Sequence, residues 1–121
     1  MPKVSLIEDD ASMLSLLGTL LGFEGFEVAP LDGGMNLEET LENLRRENPQ
    51  LILLDVHLPA ISSFDLLQRL RQDPELKSVQ VLMSSGMELT DKCLQAGADD
   101  FILKPYMPDE LIGKIRKMLK H

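Results

Sequence analysis

The sequence predicts one α/β domain, residues 1–121, built on a five-stranded parallel sheet. Short apolar runs alternate five times with longer stretches whose apolar residues recur at helical spacing. Strands that alternate with helices run parallel, and the helices cover both faces of the sheet. A chain of 121 residues, 44% of them apolar and 26% charged, can bury such a core without disulfide bonds.

The first two strand-helix units are predicted from periodicity and from turn and capping residues. The first strand is predicted at Lys3 to Ile7, and the second at Phe26 to Ala29, before the turn Asp32-Gly33-Gly34. The apolar residues of the first helix recur at helical spacing: Met13, Leu14, Leu17, Leu20 and Leu21. Asn36 and Glu39 have the spacing of a capping box and predict the start of the second helix.

The third and fourth units follow the same alternation. Leu51 to Leu54 is a continuous apolar run, which is typical of a strand buried on both faces. The next helix is predicted at Ser63 to Arg71 and the fourth strand at Val79 to Met83. A short fourth helix is predicted at Leu89 to Ala96, ending at Gly97.

The last unit completes a fold with few possible topologies. The fifth strand is predicted at Phe101 to Leu103 and the fifth helix at Pro108 to Leu119. Because crossovers are right-handed, we expect a flavodoxin-like (βα)5 three-layer sandwich with strand order 2-1-3-4-5. This order places the carboxyl ends of the first and third strands side by side at the switch point, where such folds bind ligands.

Charge and cysteine content exclude several classes of function. The formal net charge of −8 argues against nucleic-acid binding, because phosphate backbones attract basic surfaces. Cys93 is the only cysteine, so no internal disulfide can form, which fits a reducing cytosol. No apolar run approaches the roughly 20 residues that span a bilayer. We therefore expect a cytoplasmic protein with no membrane partner.

Acidic side chains follow two strands that the expected order places next to each other. Glu8, Asp9 and Asp10 follow the first strand, and Asp55 ends the third. Four carboxylates in one crevice would repel each other unless a cation joined them. Mg²⁺ prefers such oxygen ligands and is the expected occupant. The first cluster alone could equally be a solvated loop, but Asp55 favours the metal site.

Further residues at strand ends have side chains suited to phosphoryl chemistry. Asp55 can act as a nucleophile toward phosphorus, giving an acyl phosphate, although a capping aspartate is the alternative. Lys104, before Pro105, would reach the same crevice and pair with Asp55, although alone it would be read as a surface lysine. Ser84 and Ser85 follow the fourth strand, where one hydroxyl could bind a phosphoryl oxygen or simply form a turn.

Together these segments resemble the receiver domains of two-component response regulators over essentially the whole chain. The matching pieces, in order, are SLIEDD, LILLDVHLP, VLMSSG and GADDFILKP. By this resemblance, Asp55 is the phosphoacceptor, Lys104 precedes a cis proline bond, and Ser85 supplies the switch hydroxyl. The implied ligands of Mg²⁺ or Mn²⁺ are Glu8 through water, Asp9, Asp55 and the backbone carbonyl of His57.

The resemblance also implies a function in signalling. Such domains take a phosphoryl group from the phosphohistidine of a sensor histidine kinase or a phosphotransfer protein. They catalyse only their own phosphorylation and dephosphorylation, so we expect no enzyme in the usual sense. Phosphorylation pulls Ser85 inward, an aromatic residue on the fifth strand follows, and the face of helix four, strand five and helix five binds an output partner.

Several positions depart from the family pattern. Phe101 stands where a switch tyrosine is frequent, and we expect it to be a core residue. Ser62 and Ser63 replace the common Asp-Gly before the third helix, and the fourth helix should be short. The side chain of His57 should point toward the crevice mouth, where it could orient the attacking water, screen the acyl phosphate, or have no role.

Two other classes of function remain as alternatives. One is a receiver-like interaction module that works without phosphorylation, which magnesium-dependent labelling would exclude. The other is an enzyme of related architecture. A haloacid-dehalogenase-type phosphatase would carry its aspartyl nucleophile on the first strand and a second aspartate two residues later, where this chain has His57 after Asp55. A flavodoxin would need a phosphate loop where Glu8, Asp9 and Asp10 would repel phosphate.

Overall fold

A computed structural model describes residues 1–120 as five parallel strands and five helices in strict alternation. The strands are β1 (Lys3–Glu8), β2 (Glu27–Asp32), β3 (Leu51–Asp55), β4 (Gln80–Ser85) and β5 (Asp100–Leu103). The helices are α1 (Ala11–Phe23), α2 (Leu37–Glu47), α3 (Ser63–Gln72), α4 (Thr90–Ala96) and α5 (Pro108–Met118). The sheet order is β2-β1-β3-β4-β5, so the predicted flavodoxin-like fold is confirmed.

The two faces of the sheet are covered by different helices. The first layer of the core joins α1 and α5 to one face of the sheet through residues such as Leu17, Leu53 and Ile115. The second layer joins α2, α3 and α4 to the opposite face through residues such as Leu41 and Leu67. Among residues 1–120, no helix is both long enough and apolar enough to cross a membrane.

The residues that begin and end the helices account for several sequence features. Asn36 and Glu39 form the predicted capping box at α2. Ser62 caps α3, and the buried hydroxyl of Ser63 donates to the carbonyl of Val56, directly after β3. The two serines that depart from the family pattern therefore fix the start of α3 against the strand that carries Asp55.

Two strands continue at least two residues past the ends of their predicted apolar runs. β2 continues through Pro30 to Asp32. A proline is tolerated in this strand because β2 lies at the edge of the sheet, where the side without a partner strand needs no N–H donor. β4 continues through Ser84 and Ser85, both of which are buried. The interpretation of these serines as turn residues is therefore wrong: their backbone pairs with β3 and β5.

One arginine ties three elements together on the far side of the sheet from α1. The guanidinium of Arg71 donates to the carbonyls of Gly97, Lys77 and Val79. It also pairs with Asp99 at 2.8 Å, and Asp99 in turn accepts the backbone N–H of Val81 at 2.8 Å. These contacts fix α3 to the ends of β4 and α4.

Candidate functional site

Three carboxylates meet where the carboxyl ends of β1 and β3 lie side by side. Glu8 and Asp55 end these strands and are buried, and Asp9 follows at the exposed start of the next loop. One oxygen from each of the three lies within 4.8 Å of the others. Because β1 pairs directly with β3 in the sheet, the topology alone brings these side chains into one crevice.

Asp10 does not join this cluster, so the expectation of four converging carboxylates is wrong. Its side chain caps α1 and accepts the backbone N–H groups of Ser12 and Met13 at 2.9 and 3.1 Å. An aspartate at this position satisfies two backbone donors that the helix itself cannot. Because Asp10 caps α1, only Glu8 and Asp9 of the three consecutive acids join Asp55 in the crevice.

Lys104 supplies the positive charge of the site. Its Nζ lies 3.0 Å from Glu8 Oε1 and 3.4 Å from Asp55 Oδ2. Partial burial would lower the pKa of Lys104, but its hydrogen bond to Glu8 and the charge of Asp55 outweigh that effect and raise the pKa above its ordinary value. The Lys104–Pro105 peptide bond is cis, as the resemblance implies.

The acidic cluster fits a divalent cation. Lys104 offsets only one of three carboxylate charges, and oxygen donors this close repel each other unless a further cation joins them. Carboxylate oxygens are the ligands that Mg²⁺ prefers, and a site with few protein ligands leaves room for the waters that this ion retains. The donor set at Glu8, Asp9 and Asp55 therefore suits Mg²⁺.

His57 and Ser85 lie next to the acidic cluster and contact each other. The backbone N–H of His57 donates to Asp55 Oδ1 at 3.1 Å, and its ring Nε2 lies 3.1 Å from Ser85 Oγ. Ser85 is fully buried, and its Oγ also accepts the N–H of Met87 at 3.0 Å. The His57 ring thus has a definite partner, the hydroxyl of Ser85, which the sequence did not suggest.

Phe101 lies apart from the charged groups. It is 5% exposed and belongs to the core between the sheet and helices α2 to α4. This burial agrees with the expectation that Phe101 is a core residue. Its neighbour Leu103 is 44% exposed on the same strand.

The sequence left open where two residues beside the site lie. Ser84 pairs in register with Asp55, so its side chain points to the same face of the sheet as the carboxylate. Gly33 packs against the loop that carries Asp9: a Cβ there would lie 2.9 Å from the Leu58 side chain and 3.2 Å from the Asp9 backbone nitrogen. The signal for Gly33 was present in the Asp-Gly-Gly turn, but a turn alone does not indicate a close approach.

Comparison with known proteins agrees with this geometry. The chain matches the family described as "Response regulator receiver domain" over residues 4–116. It is 34% identical to the phosphate regulon transcriptional regulatory protein PhoB of Rhizobium meliloti over 99% of this chain and 53% of that protein. It is 32% identical to the DNA-binding response regulator MtrA of Mycobacterium leprae over 98% of this chain and 51% of that protein. The chain therefore spans about half the length of these relatives.

Solved structures give the same result at the level of the fold. A CheY-like response regulator receiver domain protein from Methanospirillum hungatei superposes with a TM-score of 0.86 at 28% identity, covering 99% of this chain and 94% of that one. The chemotaxis protein CheY4 of Vibrio cholerae superposes with a TM-score of 0.87 at 24% identity, covering 98% and 99%, which shows the fold alone. From its sequence, its sheet order and these matches, the chain belongs to the response regulator receiver family of two-component signalling.

Proposed function

We propose that this domain accepts a phosphoryl group on Asp55 from a phosphohistidine donor in a magnesium-dependent reaction. The observation that carries the proposal is the meeting of Glu8, Asp9 and Asp55 within 4.8 Å beside the ammonium of Lys104. A cluster of carboxylates with one lysine is costly unless a cation joins it. Mg²⁺ in that position, together with Lys104, would attract the oxygens of a phosphoryl group.

The proposed reaction is an in-line phosphoryl transfer. A carboxylate oxygen of Asp55 attacks the phosphorus of the donor, forming a P–O bond and a mixed acyl phosphate. The P–N bond to the donor imidazole breaks, and its electron pair stays on the nitrogen, which then takes up a proton. Hydrolysis by water later returns the carboxylate and releases inorganic phosphate.

The residues around Asp55 have distinct proposed roles. Lys104 pairs with Asp55 before the reaction and with a phosphoryl oxygen after it. The hydroxyl of Ser85 donates to another phosphoryl oxygen once that oxygen is in place. Glu8, Asp9, Asp55 and the backbone carbonyl of His57 would hold Mg²⁺ or Mn²⁺, whose charge would offset that of the phosphoryl oxygens.

An apolar surface beside the crevice suits the donor. Helix α1 carries no charged residue, and its Leu16 is 63% exposed. Together with Pro105 and Tyr106 it lines a groove of about 460 Å³ next to Lys104. We expect a helical sensor kinase or phosphotransfer protein to pack there, because its phosphohistidine must come within reach of Asp55.

The output surface is proposed on the neighbouring face made by α4, β5 and α5. Leu94, Leu103 and Met107 are 43%, 44% and 67% exposed and give this region apolar contacts for a protein partner. The net charge of −8 argues against direct binding of nucleic acid by this domain, because phosphate backbones attract basic surfaces. The proposed kinase partner implies a cytoplasmic location.

The test is phosphorylation by a small phosphodonor. Acetyl phosphate with Mg²⁺ should add one phosphoryl group to the wild type, seen by intact mass, and none to Asp55→Asn, because an amide is a poor nucleophile. Asp10→Asn is the matched control: it makes the same Asp-to-Asn change outside the carboxylate cluster, and asparagine still caps α1. This variant should label like the wild type.

Two results would contradict the proposal. A stable label on Asp55→Asn would place the acceptor elsewhere. Failure of the wild type to label with acetyl phosphate and to bind beryllofluoride, both with Mg²⁺ present, would favour a receiver-like module that works without phosphorylation.

A further inference from the structure

Tyr106 lies between the acidic crevice and the surface groove. Its ring packs with the core layer of α1 and α5 and lines the groove together with Met13 and Leu20. Its hydroxyl is fully buried. Among residues 1–120, no protein group lies within hydrogen-bonding distance of this hydroxyl.

The hydroxyl shares a small cavity with the acidic site. This cavity lies under the crevice and has a volume of about 10 Å³. Its polar lining comes from Tyr106, Glu8, Asp55 and Ser84, and the rest is leucine and isoleucine. One buried water needs about 10–15 Å³ of such volume and two to four polar partners, so the cavity is at the lower limit for a single molecule.

An unsatisfied buried hydroxyl destabilises the folded protein, and one bridging water removes most of that cost. Burial also raises the pKa of Tyr106, so its hydroxyl stays protonated at neutral pH and can donate. The other polar residues of the cavity lining are Glu8, Asp55 and Ser84, and the first two carry carboxylates that can accept. The chemistry of the lining therefore favours a hydrogen-bonded link from the phenol to the acidic pair.

We propose that one water molecule in this cavity joins the Tyr106 hydroxyl to the carboxylates of Glu8 and Asp55, and that Tyr106 is thereby a positioning residue for the phosphoacceptor site. The inference rests on the proposed function of Asp55. Both carboxylates are already held by Lys104, and Asp55 also by the N–H of His57. The link through Tyr106 holds them from the inner side, so that their free lone pairs face the crevice.

The test uses the conservative variant Tyr106→Phe, which removes only the hydroxyl and keeps the ring that packs on α1. Loss of one water-mediated hydrogen bond should weaken Mg²⁺ affinity, measured by isothermal titration, by about three- to tenfold. Beryllofluoride affinity should fall by a similar factor. A high-resolution crystal structure of the wild type should show one water within hydrogen-bonding distance of the phenol and a carboxylate.

A spectroscopic readout separates positioning from a purely structural role. Tyr106 is the only tyrosine and the chain has no tryptophan, so tyrosine emission reports this one side chain. Mg²⁺ should change that emission with the same dissociation constant that calorimetry gives. Asp9→Asn, which removes a proposed ligand and leaves the cavity lining intact, should abolish both signals.

The inference and the proposed function fail in different ways. A dry cavity, or Mg²⁺ affinity in Tyr106→Phe that is tighter than in the wild type or within twofold of it, would overturn the inference while Asp55 labelling stays intact. A stable label on Asp55→Asn would overturn the proposed function and the inference with it.

Discussion

Replacing His57 with alanine should free the switch hydroxyl for a phosphoryl oxygen. Ser85 Oγ accepts the N–H of Met87 at 3.0 Å, which leaves its single proton to donate to one partner. His57 Nε2 lies 3.1 Å away and accepts a hydrogen bond from this hydroxyl when Nδ1 carries the ring proton. A phosphoryl oxygen on Asp55 would then compete with the imidazole for the same donor.

The size of the effect follows from one partly buried, neutral hydrogen bond. Such a bond contributes a net 0.5–1.5 kcal/mol in proteins, or about two- to tenfold in an equilibrium constant. We therefore expect His57→Ala to bind beryllofluoride, with saturating Mg²⁺, about two- to tenfold more tightly than the wild type. Titration calorimetry on both proteins measures this ratio directly.

His57→Leu is the matched control, because leucine keeps bulk beside Asp55 but cannot accept a hydrogen bond from Ser85. Both variants should bind beryllofluoride more tightly. Only His57→Ala should also lose its acyl phosphate faster, since it alone lets water approach from that side. Unchanged or weaker beryllofluoride affinity in both variants would refute the competition, and equal acyl-phosphate half-lives in all three proteins would exclude screening by the ring.

Three further changes test the surroundings of the site. Gly33→Ala should lower Mg²⁺ affinity, measured by calorimetry, because the added methyl group displaces Asp9. Overpacking should also lower the free energy of unfolding, measured by urea titration, by about 1–3 kcal/mol. Unchanged values of both quantities would contradict the close contact. Arg71→Ala should lower the free energy of unfolding by about 1–3 kcal/mol with unchanged Mg²⁺ affinity, because it removes four hydrogen bonds far from the crevice. The N–H of Glu75 and the Arg45 guanidinium lower the pKa of Asp73 from 3.8, so the stabilising effect of its carboxylate is present above that pH and lost as pH falls through the lowered value. In urea titrations at acid pH, the free energy of unfolding of Asp73→Asn should therefore depend less on pH than that of the wild type. An unchanged pH dependence would contradict this account.

The fold could be predicted because its signals are local and repeat along the chain. Alternating apolar runs and helical stripes fixed the order of elements, and the capping residues Asn36 and Glu39 located the start of α2. Strand ends were less accurate, because apolar character stops before backbone pairing does. Ser84 and Ser85 are polar, yet β4 continues through them, since β3 and β5 supply hydrogen-bond partners on both sides.

Site residues were predictable where the backbone alone determines their position. Asp55 ends β3 and Lys104 directly follows β5, and because both strands pair with β4, their carboxyl ends lie at the same edge of the sheet. Asp10 was misplaced because a helix start offered its carboxylate two closer donors. Tyr106 was overlooked for the opposite reason: its aromatic ring suits the core, and only the cavity beyond the ring gives its hydroxyl a place beside the carboxylates. The position of a polar group on a largely apolar side chain, such as the hydroxyl of Tyr106, therefore depends on packing that the sequence pattern does not reveal.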